Sequence, residues 1–247
     1  MSVLILALAA GAVVGLALGA LGGGGSVLAV PALIYLLGLT PAAATTASLI
    51  IVTVTSATGL VAHARDGNVA WLTGALFAAA GIIPAFLAGA ATAHLPQTAL
   101  TATFAVLAAL AALRMLRPAT AEAPHEVRPV KAAAVGGGLG VVTGFLGVGG
   151  GFLAVPALVS VLGLRMRQAA GTSLLVISIN SLAALAARAG TGGELRWEVI
   201  GPFAAAAVLA AWDGKRLAMK VSGGALQRIF AFVLLAVAAL MLADTFA

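Results

Sequence analysis

Apolar runs, most of them near the length of a bilayer crossing, alternate with short polar connections along the whole chain. A helix needs about 20 residues to cross a hydrocarbon core of roughly 30 Å. The runs predict helices at 2–20, 42–63, 69–92 and 96–116, and again at 131–145, 167–188, 197–216 and 223–243. After the first helix of each set stands a shorter apolar piece, 26–37 and then 151–162. A dozen residues reach only about 18 Å as a helix. These two pieces are therefore expected to be half-helices that return from mid-membrane. Arg117 to Val130, with three prolines, two glutamates, two arginines and His125, is the one polar stretch and the expected linker. The division is thus 1–116, a first transmembrane repeat; 117–130, a cytoplasmic linker; and 131–247, a second repeat.

The two sets are copies. Leu21 to Leu39 returns 125 residues later as Leu146 to Leu164, with Ala29-Val-Pro-Ala-Leu33 matched by Ala154-Val-Pro-Ala-Leu158. Gly11, Gly15 and Gly19 align at the same offset with Gly136, Gly140 and Gly144, as Ser48, Ser56 and Leu60 do with Ser173, Ser181 and Leu185. The glycine triplets read as stripes for close helix packing, since small residues let backbones approach. Two apolar halves, each broken at a matching glycine run, form the pattern of a secondary transporter.

Composition agrees with lipid as the solvent: 62% hydrophobic residues, 8% charged, mean hydropathy +1.17. The net charge of +6 does not indicate nucleic acid, because the 13 basic residues sit in connections between apolar runs. Their placement orients the chain. If each short piece crossed the membrane, the repeats would be parallel and the basic residues would split evenly between faces. If each piece turns back, Arg65, Arg114, Arg117, Arg128, Lys131, Arg165, Arg167, Lys215, Arg216 and Lys220 gather on one face, while Arg188 and Arg196 lie on the other. The second arrangement obeys the positive-inside rule. The expected fold is an all-α integral membrane protein of two inverted-topology repeats, multi-pass in the inner cell membrane, with the linker cytoplasmic. The first apolar run has no basic n-region and flows into repeated sequence, so it is expected to belong to the mature fold.

The chemistry on offer suits an anion. Unpaired N–H groups at a helix start, with the helix dipole behind them, hold an oxyanion without a buried cation. Glycine lets the backbone come close. Candidate substrate contacts are Gly24, Gly25 and Ser26 in the first half and Gly149, Gly150 and Gly151 in the second. The competing reading is that these glycines only permit tight turns. A polar stripe on the following helix adds Ser48 and Thr55, and in the second copy Thr172, Ser173 and Asn180. Hydroxyls in membrane helices commonly bond back to their own backbone instead, and Asn180 either bridges helices or touches substrate. His63, Asp66, His94 and Asp213 fall near helix ends, where solvated or capping roles are usual. Trp71, Trp197 and Trp212 read as headgroup anchors. There is no cysteine, metal-ligand cluster or nucleophile–base pair, so no cofactor, no metal and no enzymatic activity are expected.

The twin glycine segments with Ala-Val-Pro-Ala-Leu, the stretch Ala170-Gly-Thr-Ser-Leu174, and Ala211-Trp-Asp-Gly-Lys-Arg-Leu217 together resemble the TauE/SafE sulfite-exporter family over essentially the whole chain. The resemblance implies transport of small sulfur-containing or organic anions such as sulfite, sulfoacetate and related sulfonates. The expected function is alternating-access transport of such an oxyanion; an anion channel with a re-entrant filter is the alternative. The expected partners are the small anionic substrate and the lipid bilayer, with protons a candidate coupling ion and a homo-oligomer compatible with the pattern.

Overall fold

The computed structural model describes residues 2–91, 97–116, 128–146, 151–187 and 195–246. These residues form ten α-helices: α1 Ser2–Leu21, α2 Gly24–Pro31, α3 Pro41–Arg65, α4 Trp71–Ala91, α5 Gln97–Leu116, α6 Pro129–Leu146, α7 Gly151–Ser160, α8 Met166–Ala187, α9 Trp197–Lys220 and α10 Gly223–Phe246. Among the described residues, four are long and apolar enough to cross a bilayer: Val3–Leu21, Ala43–Arg65, Met166–Ala186 and Gly223–Leu240. Ile5, Leu72, Ile83, Phe86, Leu209 and Leu240 lie on the outside, the exposure appropriate to a lipid-facing surface. The fold is an all-α, multi-pass membrane protein.

Beyond shifts of one to three residues at other helix ends, three differences from the predicted elements stand out. The short helix expected at 26–37 begins at Gly24 and, after Pro31, passes into a π-helical turn over Ala32–Leu36. A proline lacks the N–H of the regular ladder and its ring crowds the preceding turn, which favours such widening. Pro156 stands at the matching place in α7, which stays α-helical to Ser160, so proline permits the π turn without compelling it. At the other end of the chain, α9 runs four residues beyond the predicted Arg216, because Leu217 to Lys220 are good helix formers and Ala218 is buried. The predicted linker also loses its last two residues to α6, which opens on Pro129, the proline-compatible first position. Residues 117–127 of that linker lie outside the described residues, as does His94.

Both short segments close on a left-handed glycine, Gly38 at φ +63° and Gly163 at φ +72°. The turns are wired alike: Leu39 N–H donates to Leu33 O at 3.1 Å, and Leu164 N–H to Leu158 O at 2.9 Å. The first short segment is buried along one side, at Ala29 and Leu33, whereas the second is buried all round from Leu153 to Leu158.

The glycine stripes do pack helices, and they do so across the halves. A Cβ at Gly11, Gly15 or Gly19 of α1 would run into the backbone of Phe203, Ala207 or Ala211 of α9. At Gly136 or Gly140 of α6 it would meet the backbone of Phe77 or Gly81 of α4. Rising numbers on one helix meet rising numbers on the other, so both pairs are parallel. By contrast α3 and α8 cross antiparallel, with Ser56 Oγ 2.9 Å from Ser178 Oγ and Leu174 against Gly59. At one end of the bundle the last turns of α1, α3 and α9 meet the first turns of α8 and α10. There Arg65 lies 5.7 Å over the Trp212 ring, Arg167 donates to Met219 O and Val221 O at 3.0 and 3.1 Å, and Gln227 Nε2 donates to Met115 O at 2.6 Å.

Candidate functional site

Halfway along α3 and α8 is a polar locus enclosed by apolar packing. Ser56 and Ser178 hydrogen bond to each other there, and Ser56 also reaches Thr53 O at 3.2 Å. Beside them, Thr55 Oγ1 and Asn180 Oδ1 are buried without a hydrogen-bond partner among the described residues. These two positions are 125 residues apart, so each is the repeat counterpart of the other. An orphaned polar atom in a membrane interior is costly, about 1–3 kcal/mol each by comparison with soluble proteins. The cost falls on the same position of both copies.

The remaining candidates divide. Ser48 Oγ donates to Thr45 O at 2.9 Å, and Ser173 Oγ to Ala170 O at 2.8 Å. Both are the bond to the carbonyl three residues back that a helix offers any serine. Thr172 Oγ1 accepts from Ala70 N–H at 3.0 Å, which serves a free donor at the start of α4. Gly24 and Gly25 open α2 with Ser26 in its first turn, and Gly151 is the first residue of α7. Gly149 and Gly150 lie outside the described residues.

A second polar set lies at the end where α1, α3 and α9 finish; the sequence placed His63 and Asp66 near helix ends but did not bring them together with Lys215. Lys215 of α9 is buried; its ammonium donates to Ala62 O at 2.7 Å and pairs with Asp66 Oδ2 at 2.6 Å. His63 of α3 is buried too, with Nε2–H donating to Gly19 O at 3.0 Å and Nδ1 unpartnered. Asp66 caps α3 rather than standing free in solvent. One signal was present in the sequence: Ala207, Ala211 and Lys215 recur at four-residue spacing, so Lys215 continues the face that packs on α1. Asp213 lies on the exposed side of α9, 3.4 Å from Arg216. Among the described residues no group of three or more His, Asp or Glu is placed to hold a metal.

A family model described as sulfite exporter TauE/SafE matches residues 7–241. The chain is also similar to two proteins of Xylella fastidiosa, each named "Probable membrane transporter protein". The one from strain 9a5c is 34% identical over 245 residues, covering 95% of this chain and 93% of the relative. The one from strain Temecula1 is 34% identical over 244 residues with the same coverage. No solved structure matches the chain.

Proposed function

The chain belongs to the sulfite exporter TauE/SafE family, and from that premise we propose that it is a secondary transporter of a small sulfur-containing or organic oxyanion. Sulfite, sulfoacetate or a related sulfonate is held between the halves at mid-depth. The observation that carries this reading is the pair of repeat counterparts, Thr55 and Asn180, with buried, unpartnered side-chain oxygens. The Thr55 hydroxyl rotates to donate, and turning the Asn180 amide presents its NH₂ in place of its oxygen, so each supplies an anion with a hydrogen bond. Backbone N–H groups at the starts of α2 and α7 add donors, with Gly24, Gly25, Ser26 and Gly149 to Gly151 letting the ligand approach. Ser48, Thr172 and Ser173 shape the surrounding helices through the bonds they already make.

The halves are inverted repeats in this proposal. Three contacts support it: α1 runs parallel to α9, His63 near the end of α3 bonds Gly19 near the end of α1, and α3 crosses α8 antiparallel. If α3 runs with α1, then α2 and the turn after it bring the chain back before α3 begins, as a half-helix would. The arrangement gives one rocking unit per half, working from alternate sides of the bilayer in the inner membrane. Domains 1–116 and 131–247 are the two units.

Reconstitution in liposomes tests the proposal. Flux of sulfite, sulfoacetate, sulfate and a carboxylate control is measured under imposed pH and voltage gradients. Saturable, anion-selective flux with counter-transport is the expected result. Flux that never saturates would replace the carrier with a channel, and no flux of any of these anions would refute the reading.

A further inference from the structure

The polar set at the end of α3 and α9 has the makings of a ligand site. His63, Asn68, Arg167 and Lys215 border one pocket there, whose open surface is mostly apolar, from residues such as Ala20, Ala218 and Leu226. We propose that this pocket is a second anion site, which takes a small oxyanion still carrying one proton, and that Asp66 is its built-in competitor. The choice of ligand rests on the reading of the chain as an anion carrier; the site itself rests on the following geometry.

Lys215 is fixed while its counter-ion is not. The lysine side chain is 11% exposed and anchored by Ala62 O, whereas Asp66 is 34% exposed and sits just past the end of α3, before Gly67 at φ +69°. To an ammonium, an aspartate carboxylate and a small oxyanion are interchangeable partners. The pocket is only water-sized and its wall does not include Asp66, so an incoming anion takes the place on Lys215 that the carboxylate leaves as it swings outward.

His63 sets the protonation state. Gly19 O can only accept, so Nε2 carries the proton, and the neutral ring leaves a bare lone pair on Nδ1. A fully deprotonated oxyanion offers that lone pair nothing but further lone pairs. A hydrogen oxyanion gives its O–H to Nδ1 and its charged oxygens to Lys215, with the positive charge of Arg167 on the same wall. None of these residues is duplicated: the positions 125 residues from His63, Asp66 and Asn68 hold Arg188, Thr191 and Gly193, and that for Arg167 holds Ala42. The site therefore belongs to one face only. His63 lies eight residues beyond Thr55 on α3, about 12 Å along the axis, which makes the pocket a staging point between that face and mid-depth.

Equilibrium binding of radiolabelled sulfite, with methanesulfonate as the competitor that has no O–H, is measured on the full chain in nanodiscs. Asp66→Asn should bind sulfite roughly fivefold more tightly, since it removes the competitor; a merely structural ion pair would give no gain. Lys215→Met should weaken binding. His63→Gln keeps a donor for Gly19 O but places no acceptor where Nδ1 stood, so it should lose the preference for sulfite over methanesulfonate. Unchanged or weaker binding in Asp66→Asn, with an unaltered preference in His63→Gln, would overturn the proposal. Liposome flux separates the two readings. Normal transport with these variants behaving as wild type refutes this site alone, and tighter binding in Asp66→Asn without transport of any anion refutes the carrier alone.

Discussion

In the proposed transporter, a threonine and an asparagine in the middle of two crossing helices are where folding and ligand binding make opposite demands. Thr55 Oγ1 and Asn180 Oδ1 have no partner among the described residues, so a structural role predicts little for them and a binding role predicts much. Thr55→Val removes an unsatisfied hydroxyl at nearly constant shape, and should leave the melting temperature in detergent unchanged or raise it, by up to about 1 kcal/mol of stability. The same protein in liposomes should lose at least about tenfold in anion flux. Asn180→Leu should behave in the same direction. Ser48→Ala and Ser173→Ala are the controls: their hydroxyls bond their own helix, and flux should stay near normal. Sequence spacing brought all of these residues onto one stripe but could not separate them. The separation depends on which rotamer each side chain adopts and how far the next helix stands, and neither quantity is written in helical periodicity.

The short helices and their closing turns are the elements most directly dictated by single residues. Gly38 and Gly163 adopt positive φ and have open space where a side chain would go, nothing lying within 4 Å of a Cβ at either position. Alanine there meets only the backbone penalty, about 1–2 kcal/mol per site. Gly38→Ala and Gly163→Ala should therefore lower stability in detergent by similar amounts and roughly additively, as thermal unfolding would register. Much of the element layout was legible: spans, short pieces and the glycine stripes all follow from length and from repeated small residues. The π turn after Pro31 was not, since the matching Pro156 leaves α7 regular. Nor was the burial of Lys215. A charged residue near the end of an apolar run normally reaches for water, and only the meeting of three helix ends, with Asp66 supplied by one of them, makes its burial tolerable.

For the whole molecule, inverted repeats predict that counterparts in the two halves face opposite compartments. Thr40 and Arg165 are such a pair, both exposed, each just before the helix that follows a short segment. The chain contains no cysteine, so Thr40→Cys and Arg165→Cys can be made without further change. A membrane-impermeant maleimide applied to intact cells should label the first, and label the second only after permeabilisation. Labelling of both from the same side would exclude inversion. The charge pattern predicts the same arrangement from sequence, because the positive-inside bias operates on the short loops that connect the helices.

The exchange of helices between halves also bears on how the chain is made. Gly15 leaves the ribosome about 190 residues ahead of Ala207, the backbone it packs against. At about 5–20 residues per second of synthesis, α1 waits roughly 10–40 s for its partner, its glycine groove open to lipid throughout. Chains released before Trp197 should accordingly be cleared by membrane proteases, as pulse-chase labelling of truncated forms would reveal. Two separately expressed pieces, cut in the polar linker, should rescue each other. The groove of α1 is filled only by α9, so quality control of this protein has to wait until α9 has been made.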